Sequence, residues 1–140
     1  MIKILLAGSN PLFFKALEPL LNKNHIFILG VCREPLQAMQ HYISSGADII
    51  ILDITWSREK FTGEDIMKIL FKEDDNIKVI AVNNSLDVIM MKRLARAGAR
   101  GYFYRMMDDI LQVMIDCIFE VYNGKKFFTI NPALNEKTIF

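Results

Sequence analysis

The chain lacks an excess of charge of either sign. Its 140 residues contain 17 Lys plus Arg and 16 Asp plus Glu, and the formal net charge is +1 at pH 7. Near-neutral charge argues against a broad basic surface for nucleic acid or for an anionic membrane. Hydrophobic residues make up 52% of the sequence, so the composition is that of a globular protein, and the length fits one domain.

Cysteine, histidine and long apolar spans are also scarce. Cys32 and Cys117 lie far apart inside apolar runs, which favours buried free thiols in a reducing compartment over a disulfide or a metal pair. His25 and His41 have no cysteine or second histidine at ligand spacing, so both are expected on the surface. The N-terminal apolar stretch is too short for a signal peptide, and no span of about 18 apolar residues follows. We therefore expect a cytoplasmic protein with no membrane segment.

Short apolar runs bounded by turn residues predict five strands. They are nearly continuous in apolar character, as strands buried on both faces of a sheet are. The predicted strands cover residues 2–7, 26–32, 48–54, 78–83 and 101–104.

Amphipathic stretches between these runs predict five helices. The first begins at Asn10 and Pro11, the fourth has Ser85 as its N-cap and ends at Gly98, and the fifth ends at Gly124. Strict alternation of strands and helices predicts a parallel sheet with helices on both faces. Ligand sites on such a sheet lie outside the carboxyl ends of the strands.

One acidic residue lies at the predicted carboxyl ends of the strands. Asp53 closes the run "DIIILD", and a carboxylate beside a buried strand must be solvated, paired or used as a ligand. Two interpretations follow: Asp53 pairs with Arg105 or caps nearby backbone, or it is a chemically used carboxylate.

The segments "KILLAGSNP", "ADIIILDI", "KVIAVNNS" and "AGARGYFYR" occur in this order along residues 2–124. Together they resemble the receiver domain of bacterial response regulators. The resemblance implies a flavodoxin-like fold of five strand–helix units, doubly wound, with strand order 2-1-3-4-5. It also implies a non-enzymatic module of a two-component phosphorelay, in which Asp53 has the place of the phosphorylated aspartate.

Several places depart from the family pattern. Gly8 and Ser9 stand where the family has two acidic residues that hold Mg²⁺, and Asn83 stands where it has Ser or Thr. Arg105 replaces a lysine, whereas Tyr102 keeps the switch aromatic. The turn after Asp53 reads "DITWSREKFTG", which is longer and more polar than the family's, and Thr55 keeps the place of a metal-binding carbonyl.

These departures change the expected chemistry. Asp53, the carbonyl of Thr55 and the Ser9 hydroxyl are a poor donor set for Mg²⁺, which prefers carboxylates. We therefore expect weak or absent Mg²⁺ binding and no firm cofactor. Without a competing metal, the planar guanidinium of Arg105 is expected to pair with Asp53.

Two further functions remain open at this point. One is a conventional phospho-accepting receiver at Asp53 that controls a DNA-binding output domain of the helix-turn-helix type. The other is a small flavodoxin-like protein that binds a nucleotide or flavin, although the single Gly8 matches neither common phosphate-binding glycine motif.

The predicted fourth and fifth helices carry more apolar residues than one buried face requires. This excess indicates a homodimer or partner surface, or packing beneath the C-terminal residues Phe127 and Phe128. The expected partners are a histidine kinase or another signalling protein, with no membrane and no direct nucleic acid contact. Residues 1–124 are expected to form the receiver-like domain, and residues 125–140 a C-terminal extension or the start of a linker.

Overall fold

Five strand–helix units follow one another along the chain, and a short strand comes after the last helix. The computed structural model describes residues 1–8, 12–33, 37–54 and 63–129. Within these residues the strands are β1 (Ile2–Ala7), β2 (Ile26–Cys32), β3 (Ile49–Asp53), β4 (Val79–Asn83), β5 (Gly101–Tyr104) and β6 (Phe127–Phe128). The helices are α1 (Leu12–Lys23), α2 (Ala38–Ser45), α3 (Gly63–Glu73), α4 (Val88–Arg96) and α5 (Ile110–Tyr122).

The strands form one sheet in the order β2-β1-β3-β4-β5-β6. Every neighbouring pair is parallel, because each connection passes through a helix that crosses back over the sheet. The predicted order 2-1-3-4-5 is confirmed, and β6 extends the sheet beyond β5. The chain reverses its winding direction at β1, so the carboxyl ends of β1 and β3 flank the crevice that this fold offers.

Helices cover both faces of the sheet, as the apolar strands predict. All five residues of β3 are buried, and alternate strand residues contribute to two separate apolar cores. One core receives α1 and α5 through residues such as Phe14 and Ile118. The other receives α2, α3 and α4 through residues such as Leu70 and Leu94. Since α4 and α5 lie on opposite faces, they flank the edge of the sheet that β5 and β6 form.

The start of α4 corrects one sequence expectation. Its N-cap is Asp87 rather than Ser85, and Asp87 Oδ1 accepts a hydrogen bond of 3.0 Å from the backbone N–H of Met90. Beyond its end, Gly98 has a φ of +114°, which favours glycine. Asn10 and Pro11, the predicted start of α1, lie outside the described residues.

The cysteine and histidine residues lie where the sequence predicts. Cys32 and Cys117 are free and buried, while His25 and His41 are exposed, as predicted. No helix among the described parts of the chain is long and apolar enough to cross a membrane.

Candidate functional site

The carboxyl ends of the central strands bring the predicted site residues together. Asp53 ends β3, Asn83 ends β4, Gly8 follows β1 and Arg105 follows β5. The backbone N–H of Arg105 donates to the carbonyl of Asn83 at 2.9 Å, and the N–H of Gly8 donates to the carbonyl of Cys32 at 3.0 Å. The parallel register therefore gathers residues that are up to 97 positions apart, from Gly8 to Arg105.

Arg105 and Asp53 form a buried ion pair. Arg105 Nη2 lies 2.6 Å from Asp53 Oδ2, and the two side chains are 16% and 4% exposed, respectively. The short distance is that of a charge-assisted hydrogen bond in a site from which most water is excluded. The pairing expected from the sequence is thus present in the structure.

Two further groups hold the guanidinium in place. Arg105 Nη1 donates to Asn84 Oδ1 at 2.8 Å, so the second amino group of the fork also has a partner. The guanidinium carbon lies 5.5 Å from the ring centre of Phe13 and 5.9 Å from that of Phe14, within cation–π range. Arg105 Nε is buried and has no hydrogen-bond partner among the described residues.

Phe13, Phe14 and the Asn84 side chain contribute to the site although no sequence motif predicts their role. The pair "FF" at the start of the first helix signals aromatic packing. Its contact with a cation that follows the fifth strand is visible only once the fold is known.

Gly8 lies against the Asp53 side chain. A Cβ atom at position 8 would be 2.8 Å from Asp53 Cβ and 3.4 Å from Oδ2, which is too close without a shift of one residue. A cavity of about 10 Å³ adjoins them, which is the size of a single water molecule. Its lining consists of Leu6, Ala7, Gly8, Phe14, Val31, Ile51 and Asp53.

A second set of hydrogen bonds connects Asn83, at the end of β4, to Tyr102 on β5, and the Tyr102 side chain is fully buried. Asn83 Nδ2 donates to Tyr102 Oη at 3.2 Å, and Tyr102 Oη donates to the carbonyl of Ser85 at 3.4 Å. Asn83 Oδ1 accepts a bond of 2.8 Å from the N–H of Asn84. Burial raises the pKa of the Tyr102 hydroxyl above its ordinary value, because desolvation disfavours the phenolate.

Ser9 and Thr55, the other two predicted pocket residues, lie outside the described residues. Across the described ranges, no group of three or more His, Cys, Asp or Glu residues is arranged to hold a metal ion. The carboxylate available at the strand ends there is that of Asp53, and its Oδ2 atom already accepts a bond from Arg105.

A protein-family model described as the response regulator receiver domain matches residues 4–114. A comparison with curated protein sequences gives no significant match.

Solved structures share the fold at low sequence identity. A LuxR-family two-component response regulator from Aurantimonas sp. SI85-9A1 superposes with a TM-score of 0.78 at 16% identity, over 89% of this chain and 87% of that one. The isolated receiver domain of RcsB from Salmonella enterica serovar Typhimurium, in the presence of phosphomimetic BeF3-, gives 0.78 at 12% identity, over 91% and 93%. A receiver domain protein from Clostridium thermocellum gives 0.73 at 18% identity, over 89% and 96%.

Proposed function

The chain belongs to the response regulator receiver domain family, and from this premise we propose that it signals through protein–protein contacts with weak or no Mg²⁺-dependent phosphorylation. We further propose that Asp53, at the carboxyl end of β3, has the place of the phosphoacceptor. The buried ion pair between Asp53 and Arg105 is the observation that carries the proposal.

Among the described residues, the donors around Asp53 favour an ion pair over a magnesium ion. Mg²⁺ requires oxygen ligands in near-octahedral geometry and is usually bound by one or two carboxylates with several waters. Gly8 supplies no side-chain donor, and Asp53 Oδ2 faces a guanidinium at 2.6 Å. Arg105 remains protonated and has no acceptor atom, so a divalent cation at Asp53 would meet a fixed positive charge.

Gly8 supports the same conclusion by its packing. Because its absent Cβ would be 2.8 Å from Asp53 Cβ, an acidic side chain at position 8 could not enter without displacing Asp53. This packing supports a pocket that holds the ion pair rather than a pair of carboxylates and a metal. We propose that the chain is not an enzyme and that Asp53 and Arg105 are its regulated charge pair.

The surfaces of α4 and α5 are proposed to bind a second copy of the chain. Residues 88–107 contain no acidic residue, and residues 106–124 contain no lysine or arginine. Lys92 and Arg96 are exposed on α4 near Ile89, which is 73% exposed, while Asp116 is exposed on α5 near Phe119. A two-fold dimer would bring α4 of one copy against α5 of the other, with opposite charges facing each other.

A histidine kinase or another signalling protein is the proposed upstream partner, in the cytoplasm. Residues 1–124 would form the receiver unit and residues 125–140 its C-terminal extension. The alternative is a conventional phospho-accepting receiver at Asp53 that controls a DNA-binding output domain, and the experiment below separates the two.

The test is to incubate the protein with Mg²⁺ and a small-molecule phosphodonor and to measure its intact mass. We expect no more than a trace of protein carrying one added phosphoryl group, and the same result for Asp53→Asn. A stoichiometric adduct in the parent protein that is absent from Asp53→Asn would overturn the proposal and establish the alternative. Far-ultraviolet circular dichroism on both proteins checks that each is folded.

A further inference from the structure

Two consecutive phenylalanines in the first turn of α1 face the Arg105 guanidinium. The ring centres of Phe13 and Phe14 lie 5.5 Å and 5.9 Å from the guanidinium carbon. Neighbouring residues of a helix point in directions about 100° apart, so they do not ordinarily meet the same group. Here the two rings meet edge to face, with centres 5.1 Å apart and an angle of 85° between their planes. This arrangement places one cation within range of both rings.

The aromatic contacts matter because hydrogen bonds satisfy only part of the guanidinium. Arg105 Nη1 and Nη2 donate to Asn84 and Asp53, whereas Nε is buried and has no hydrogen-bond partner among the described residues. A buried N–H without an acceptor costs free energy. The Arg105 side chain is 16% exposed, and an aromatic face attracts a desolvated cation more strongly than an exposed one. The two rings therefore offset part of the cost of burying this cation.

The same aromatic pair limits the space beside Asp53. Phe14 is 3% exposed, and with Gly8 and Asp53 it lines the cavity of about 10 Å³ at the site. Phe13 packs against the apolar core on this face of the sheet. Since the cavity has room for about one water molecule, the Phe14 ring keeps bulk water from that side of the carboxylate. Charges attract each other more strongly where water is scarce.

The arrangement fits a guanidinium better than an ammonium at position 105. A guanidinium is planar and weakly hydrated, it stacks on aromatic faces, and its separate amino groups can bond two acceptors. A lysine ammonium is a compact and strongly hydrated point charge, with no flat face to lie against the rings while it bonds Asp53 and Asn84. The presence of arginine at this position is therefore linked to the aromatic pair on α1.

We propose that Phe13 and Phe14 are positioning residues for Arg105, and that their rings hold its guanidinium against Asp53 and away from water. The first turn of α1 thus controls the ion pair, although α1 contributes no charge to it in the contacts described. Movement of this turn would loosen the guanidinium and weaken its pairing with Asp53. The inference rests on the proposed function for the role of the ion pair, while the placement of Arg105 by the rings does not depend on phosphorylation.

Exchange of the Arg105 Nε proton with water, followed by NMR on the full isotope-labelled chain, tests the positioning role. Within the described residues this proton is shielded by burial and not by a hydrogen bond, so its exchange reports how often the guanidinium leaves its packing. Phe13→Leu keeps apolar bulk but removes the aromatic face. We expect exchange about fivefold to tenfold faster than in the parent, as the loss of one partly desolvated cation–π contact would give. Phe14→Leu should act in the same direction.

Two further variants separate the aromatic contact from simple packing. Phe13→Tyr keeps a ring and should retain the parent exchange rate. Phe119→Leu is the matched control, because it makes the same change on a ring near the C-terminal end of α5, and it should also leave the rate unchanged. Backbone amides of β1 and β3 give the reference for global stability.

Unchanged exchange of the Nε proton in Phe13→Leu and Phe14→Leu would overturn the positioning role, and a change in one variant alone would overturn it for the other residue. Acceleration that is shared by the reference amides, or that is equal in Phe13→Tyr and Phe13→Leu, would also overturn it. Loss of packing alone would explain either of these results.

The carboxyl carbon resonance of Asp53 tests the link from the rings to the ion pair. Arg105→Met removes the cation and defines the position of this resonance without it. Phe13→Leu should move the resonance part of the way toward that position, and Phe13→Tyr should not. A resonance that stays at its parent position while exchange of the Nε proton accelerates would overturn the link to Asp53. The phosphodonor experiment measures protein mass instead, so failure of the proposed function is distinguishable from failure of this inference.

Discussion

At the residue scale, the character of the site follows from the missing side chain of Gly8, which lies against Asp53, and from the cation of Arg105. A guanidinium offers five donors in a planar fork and cannot accept a bond. In this structure Asp53 and Asn84 accept from its two amino groups, and Phe13 and Phe14 lie beside its plane. The result is a neutralised carboxylate in a buried position.

The ion pair makes a prediction about stability. Arg105→Met removes the cation that lies 2.6 Å from Asp53 Oδ2, and the Asp53 side chain is only 4% exposed, so we expect a loss of about 2–3 kcal/mol in the free energy of unfolding, as for a hydrogen bond to a charged group. The double variant Asp53→Asn/Arg105→Met should be more stable than Arg105→Met alone, because the carboxylate charge is removed together with the cation. Urea unfolding at pH 7 measures both, and strictly additive effects of the two substitutions would contradict the coupling.

Tyr102 gives a prediction about alkaline pH. Its pKa is raised by burial, so the folded state holds the phenolic proton more tightly than the unfolded chain does. This contribution is fully present below the unfolded pKa of about 10 and is lost as pH rises from there through the folded pKa. Burial also raises the pKa of the Tyr42 hydroxyl and of the Cys117 thiol, so the parent protein should begin to lose stability near pH 9.

The Tyr102→Phe variant isolates this effect. Its free energy of unfolding should decline less steeply than that of the parent between about pH 9 and 11, since one of the groups whose pKa is raised by burial is gone. Urea unfolding at a series of pH values gives the two slopes, and identical slopes would show that Tyr102 does not contribute.

At the scale of secondary-structure elements, the first turn of α4 shows which residue caps the helix. The first N–H groups of a helix lack partners within the helix. In α4, the Asp87 side chain accepts a hydrogen bond from the N–H of Met90. Ser85 has a cap-forming side chain two residues earlier, but the structure uses its carbonyl as an acceptor for Tyr102. The start of the helix is therefore decided by where the chain leaves β4 and not by the presence of a suitable residue.

Asp87→Ala should reduce the free energy of unfolding by about 1 kcal/mol, the usual effect of losing an N-cap. Ser85→Ala is the matched control and should have a much smaller effect, since its backbone carbonyl remains. Thermal or urea unfolding of the two variants under the same conditions distinguishes them. An equal loss of stability in both variants would contradict the assignment of Asp87 as the N-cap.

The packing of α5 and β6 accounts for most of the apolar residues that the sequence has in excess near its end. Met114, Ile115, Ile118 and Val121 are buried, and Phe127 packs against the core that they form. Phe119 and Tyr122 remain 37% and 38% exposed. Much of the apolar surface of α5 is thus used internally, and a smaller part is left for a partner.

At the scale of the whole molecule, near-zero net charge conceals an uneven distribution. Lys92, Arg93 and Arg96 lie on α4, and Asp116 and Glu120 lie on α5, at opposite faces of the same sheet edge. Such an arrangement is self-complementary about a two-fold axis.

Charge reversal tests the dimer. Arg96→Glu and Asp116→Lys should each weaken self-association by about tenfold, because like charges would then face each other. The double variant should recover part of the loss. Sedimentation equilibrium at low and high salt measures the association constant, and association that is unaffected by either single variant would contradict the proposed interface.

The sequence by itself determined the five strand–helix units, the parallel sheet and the residues that meet at its edge. Continuous apolar runs such as that of β3 can be buried only between two layers of helices. Parallel connections then place the carboxyl ends of the strands together, which brings Asp53, Asn83 and Arg105 to one site.

The tertiary structure alone decided the rest. No periodic pattern in the sequence predicts that Arg105 contacts Phe13 and Phe14. The same holds for Asp87 as the N-cap in place of Ser85 and for the pairing of β6 with β5. A two-residue strand is too short for one, and contacts between distant segments depend on the path of the chain in space. For the same reason only the folded chain shows that Thr129 binds the backbone carbonyl of Tyr102.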